Sequence, residues 1–314
     1  MRHASRRQMI QTGMIALLML IAVGGPVSAC IWFYGTDIEG NAVKLNEFGP
    51  DHYVKYLRDH KYDRPDLFTA PQNPPESVPP AYQERSNYAA TLVYKGEYAK
   101  AVEIFEELEK SHPGEYIIAA NLGTAYELSG DNEKALKWIS EGIHRNPKSH
   151  YGTEWLHIKI LEAKIELAKD PNWLKTHSVL GLNFENEARP KMPWQWPEGQ
   201  DVKSTQEALE YQLHERLEFV KPPDPIVGEL LGDLGNILSL TRSLEHAIAV
   251  YDLALTFNPV HADLISKRRT SMQSLVVSHV PEATIRLWLI IFVAGLGISI
   301  LTILILRRVR KAAA

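Results

Sequence analysis

Residues 82–113 read YQERSNYAATLVYKGEYAKAVEIFEELEKSHP and residues 114–147 read GEYIIAANLGTAYELSGDNEKALKWISEGIHRNP, and one pattern runs through both. At a spacing of 34 residues, Gly96, Ala101 and Pro113 recur as Gly130, Ala135 and Pro147. Small Ala89 matches Gly123, Leu92 matches Tyr126, and bulky Phe105 matches Ile139. Each half holds two runs of helical period separated by a glycine and closed by a proline, which a following helix crosses only at a cost of about 3 kcal/mol. The small residues fall where two helices must approach closely, and Tyr88, Leu92, Phe105, Leu122, Tyr126 and Ile139 fill the space between.

The pattern resembles the tetratricopeptide repeat (TPR), a helix-turn-helix unit of 34 residues that stacks into a solenoid. The resemblance implies first helices near 82–95 and 116–129 and second helices near 98–111 and 132–145. Trp155, Ile158, Leu161 and Ile165 predict a third first helix over 152–169. Its expected partner is replaced by an insertion, 170–201, with Pro190, Pro193 and Pro197 around Trp194 and Trp196. A loop of this length is functional or disordered, and its aromatic content favours order. A helix over 204–219 follows, and then Leu234, Gly235, Leu238, Ala247, Tyr251, Ala254 and Pro259 take the repeat positions in order, with Arg242 where glycine makes the usual turn. Residues 262–277 read as a closing helix.

Upstream, 31–45 reads as an extended arm or short hairpin, 48–60 as one helix, and the prolines between Pro65 and Pro80 as a stiff connector. The fold class expected is therefore all-α, a TPR-like solenoid with a small N-terminal arm, an irregular insertion and one C-terminal transmembrane helix. Its segments are 1–29, 30–81, 82–169, 170–201, 202–280, 287–306 and 307–314.

The ends are basic and the middle is acidic. The first 30 and last 29 residues hold 8 of the 34 Lys and Arg and none of the 38 Asp and Glu, so residues 31–285 carry a net charge of −12. Such a body is repelled by nucleic acid and by anionic headgroups. Residues 1–29 read as an export signal: a basic start, an apolar run from Met14 to Val23, and a small-residue end at Val27-Ser28-Ala29. Arg6-Arg7 is similar to a twin-arginine motif, with ordinary unfolded export as the alternative. Val27-Ser28-Ala29-Cys30 is similar to a bacterial lipobox, which would make Cys30 a lipidation site; plain cleavage after Ala29 is the alternative. Cys30 is the one cysteine in the chain, so no intramolecular disulfide can form.

Leu287 to Leu306 carries no charge and is long enough to span a bilayer core of about 30 Å. Trp288 stands at one rim, and Arg307, Arg308, Arg310 and Lys311 follow the other, which puts the C-terminus in the cytoplasm and the body outside. Gly295 and Ser299 form a small-x-x-x-small pair that leaves a homodimer open.

The TPR resemblance implies a concave face lined by first helices that receives a protein partner or an extended peptide. Carried over position by position, Asn121, Thr124 and Asn236 are the expected contacts, because an amide both donates to and accepts from a peptide backbone. Trp194 and Trp196 on the insertion join them. Lysines of the kind that clamp a terminal carboxylate are missing, since Ser86, Ala90 and Thr124 stand on this face. Glu154-x-x-His157 has the spacing of a di-iron pair but no second copy, and reads as a solvated helix face. No phosphate loop, dinucleotide fingerprint, nucleophile elbow or zinc-type cluster occurs, so neither an enzyme nor a cofactor is expected. The expected function is a scaffold on the outer side of a bacterial inner membrane, acting in assembly of an envelope complex. The alternative is a glycan-binding or hydrolytic module using Trp194 and Trp196.

Overall fold

In a computed structural model of the chain, residues 33–45, 49–59, 82–277 and 282–312 are described. The segment read as an export signal, Cys30 and the proline-rich connector lie outside them. Two short strands, β1 (Phe33–Thr36) and β2 (Ala42–Leu45), pair as a hairpin. Helices α1 (Pro50–Arg58), α2 (Tyr82–Tyr94), α3 (Tyr98–Ser111), α4 (Tyr116–Leu128), α5 (Asn132–Arg145) and α6 (Glu154–Lys169) follow. After the insertion come α7 (Val202–Phe219), α8 (Pro225–Thr241), α9 (Leu244–Thr256), α10 (Ala262–Leu275) and α11 (Glu282–Ala312).

The repeat turns are built as the glycines require. Gly96 and Gly130 adopt φ of 78° and 92°, where any other residue would be strained. Gly235 serves a different purpose, since a Cβ there would lie 2.5 Å from the Tyr251 ring; the missing side chain lets α8 and α9 close on each other. Gly123 does the same for α4 against Ile139 on α5. Arg242 adopts an ordinary negative φ of −130°, and the turn before α9 is finished by Ser243, whose hydroxyl caps the helix by accepting from the His246 amide. Asp131 and Asp224 cap α5 and α8 in the same way.

Two cores result. Leu92, Phe105, Leu122, Tyr126 and Ile139 fill the first, between α2 and α5. The second is larger and joins α8 to α10 with α7, α1 and the insertion. Helix α6 belongs to both, giving Leu161 to the first and Leu156, Ile160 and Ala163 to the second. The insertion is a structural part of the second core: Leu174, Val179, Leu180, Leu182 and Phe184 are all buried there without forming an α-helix.

The N-terminal hairpin is tied to α9. The Thr36 amide and hydroxyl both donate to Glu245, each at 2.9 Å. Helix α1 packs on the second core through Leu57 and hydrogen-bonds through Tyr53 to Glu210 on α7 at 2.7 Å. In α11, Leu289–Val309 is long and apolar enough to cross a membrane, and none of it is buried. This span overlaps the charge-free run Leu287 to Leu306, and the helix continues unbroken through Arg307 and Arg308.

Candidate interaction surface

Asn121 and Thr124 sit half-buried on α4, where they line a cavity of about 100 Å³. The Thr124 hydroxyl donates back to the Ala120 carbonyl at 3.2 Å, which leaves its oxygen able to accept. The opposite wall is α7, which contributes Gln212, Glu215, Arg216 and Phe219. Phe219 meets the Tyr94 ring at the end of α2, with centroids 4.9 Å apart. The C-terminal half of α7 therefore lies over the first-helix face that the repeat pattern marks as open.

That closure is organised by charge. Glu127 on α4 accepts from Arg216 Nη1 at 2.5 Å and from Lys164 Nζ at 2.6 Å, and meets His157 Nε2 at 2.7 Å. The other nitrogen of His157 stands 3.3 Å from Glu154, which also pairs with His150. Burial by itself would raise the Glu127 carboxyl, but Arg216, Lys164 and His157 together hold it well below the usual carboxylate range. Burial also opposes ionisation of Glu154, yet His150 and His157 keep its pKa low. The His157 pKa is raised, since Glu127 and Glu154 outweigh the burial that disfavours the imidazolium.

The expectation that Glu154 and His157 form a solvated helix face is thus corrected. Both are buried, because α4 and α7 cover the side of α6 that sequence periodicity leaves undecided. Among the described residues no group of three or more His, Cys, Asp or Glu could hold a metal ion.

The reading of Asn236 is corrected as well. It is 3% exposed, and its side-chain oxygen accepts from the Tyr251 hydroxyl at 2.8 Å and from Arg268 Nη1 at 2.9 Å. Arg268, reaching over from α10, also donates to the carbonyls of Phe184 and Glu187 at 3.2 Å each, and to that of Glu185. A stretch of the insertion is therefore clamped against the second array, and Asn236 is one of the oxygens that Arg268 meets there. Nearby Asp233 is pushed up to about 8, mainly by desolvation and then by Glu229, with Arg268 opposing.

The two insertion tryptophans part company. Trp194 is 86% exposed, whereas Trp196 is partly buried against the second core. Arg216 and Arg268 were missed by sequence reasoning. Arg216 stands alone on α7 and Arg268 beside Arg269 on α10, both helices of mixed polarity, and only distant acceptors distinguish the two from solvated arginines.

Paired helices at a 34-residue period, close-packed at glycine and alanine and closed by a capping helix, define a helical-repeat scaffold. Residues 92–153 match the family model described as tetratricopeptide repeat, and the helix arrangement around them is TPR-like, with no subfamily singled out. No curated protein matches the chain. Repeats of this kind hold proteins together and are typically not catalytic.

Proposed function

We propose that the protein is a membrane-anchored scaffold of a bacterial cell envelope, which holds its repeat body on the outer side of the inner membrane and gathers protein partners during assembly of an envelope complex. The observation that carries this reading is the pairing of a TPR array with an apolar span, Leu289–Val309, that none of the described residues covers. Arg307, Arg308, Arg310 and Lys311 follow that span, and the positive-inside rule then assigns the C-terminus to the cytoplasm. The net charge of −12 on residues 31–285 fits a body kept away from anionic headgroups and nucleic acid. On the body, Asn121, Thr124 and exposed Trp194 are the contacts proposed for partners.

Two measurements test it. Single cysteines introduced at Ser274 and Ala313 in a Cys30→Ser background should differ towards a membrane-impermeant maleimide on whole spheroplasts, with the first labelled and the second protected. Photo-crosslinking from position 121 or 194 should capture discrete envelope proteins. Labelling of position 313 with protection of position 274 would reverse the topology, and crosslinks confined to lipid would remove the scaffold role.

A further inference from the structure

A second cleft, of about 410 Å³, opens between α1, the turn before α6, and α7. Its walls include four aromatic side chains, Tyr56, Tyr151, Trp155 and Tyr211, and two carboxylates, Glu207 and Glu210. We propose that this cleft is a docking site for a positively charged side chain, arginine above all, on a basic segment of a partner protein.

The shape of the aromatic wall selects a compact cation. The Tyr151 and Tyr211 rings stand 5.6 Å apart at 72°, forming a corner. A sugar ring stacks on one flat face; a guanidinium or ammonium gains from several π surfaces meeting around it. Tyr56 is held at the rim by stacking on His214, with the rings 4.5 Å apart and 4° from parallel.

Tyr151 is the residue that packing does not explain. It is 89% exposed, yet it and His150 adopt φ of 57° and 46°, a left-handed pair of non-glycine residues that costs on the order of 1 kcal/mol or more each. The strained turn holds an aromatic ring out over the cleft, where its gain comes from what enters.

The charges agree with the rings. Among the described residues Glu207 pairs only with Lys203, at 3.8 Å and with both side chains exposed, so an incoming cation displaces that contact at little cost. Glu210 shows the same chemistry already at work: the Arg242 guanidinium lies 4.8 Å over the Tyr53 ring and 3.8 Å from Glu210. A net charge of −12 over residues 31–285 draws basic segments towards the body before contact.

The inference depends on the scaffold reading only in taking a protein segment as ligand, and its test does not involve partner capture. The probe is a labelled, extended Gly-Ser peptide with arginine at three alternate positions, titrated by anisotropy against the full chain in neutral detergent; its twin carries neutral citrulline. The arginine peptide should bind at least ten-fold more tightly and weaken steeply with salt. Tyr151→Ala and Glu207→Gln, both at exposed positions, should each reduce affinity about three- to ten-fold, and Val260→Ala, at an exposed position outside the cleft, should leave it unchanged. Equal binding of the two peptides overturns the proposal, and so does arginine-peptide binding that ignores Tyr151. Binding of a cell-wall oligosaccharide that depends on Tyr151, with no preference for arginine over citrulline, would give the cleft to glycans. Any of these leaves envelope crosslinking from position 121 intact, so the two readings fail separately.

Discussion

The Arg216 guanidinium meets the Glu127 carboxylate at 2.5 Å although 89 residues separate them in the chain. One residue lies on α7, outside the clear repeats, and the other on the inner face of the second repeat. Their pairing closes part of the groove that the repeat pattern leaves open.

Removing one side of this pair should cost more than removing both. Arg216→Ala leaves a buried carboxylate with only Lys164 and His157, and the expected loss is about 3 kcal/mol. The double variant Glu127→Gln, Arg216→Met retains shape without the stranded charge and should lose clearly less. Urea unfolding of the two proteins checks the order.

The same cluster sets a pH window. Glu127 and Glu154 have folded pKa values below their ordinary value of 4.5, so their contribution is present above that pH and is lost as pH falls further. His157 is raised above 6.5, so its contribution is complete below 6.5 and is lost as pH climbs through the folded value. The cluster's contribution should therefore peak between about pH 4.5 and 6.5. A His157→Gln protein should lose the alkaline arm of the Tm profile while retaining an acid arm. An unchanged alkaline arm would assign it to other groups.

Asp233 acts with the opposite sign. Its carboxyl, raised to about 8, is a group whose favourable effect is complete below its ordinary 3.8 and is lost as pH rises through 8. Asp233→Asn keeps the uncharged form at every pH. Its Tm should match the parent at acid pH, rise above it progressively from pH 4, and level off above pH 8.

Arg268 holds the insertion at three carbonyls and Asn236 at a fourth oxygen. Arg268→Ala should lower stability by about 2–3 kcal/mol, since bonds from a charged donor are worth about 1.5–3 kcal/mol each but compete with water. The distinctive signature is local. Hydrogen exchange in 178–192 should accelerate far more than in α4 and α5, whereas a uniform change would mean that the clamp is not what orders the insertion.

Much of the fold is legible in the sequence because its signals are local. Gly96, Gly130, Pro113 and Pro147 end helices through backbone sterics, and the 34-residue recurrence of small and bulky positions pairs those helices. The candidate site was legible only in part. Asn121 and Thr124 do line a cavity on the first-helix face, but Asn236, in the equivalent setting, is spent on Tyr251 and Arg268. Glu154 and His157 look like a solvated pair in helical spacing, and no local signal tells that another helix covers them.

By itself the sequence determined the repeat helices, their turns, the acidic body between basic ends, and one apolar span, since each depends on neighbours within a turn or two or on composition. Only the tertiary structure decided which faces stay open. Helix α7 covers part of one array and the insertion is clamped on the other, and both depend on arginines whose carboxylate, amide and carbonyl partners lie between 32 and 89 residues away. No periodicity encodes a partner at that distance; burial and charge neutralisation select it once the chain has folded.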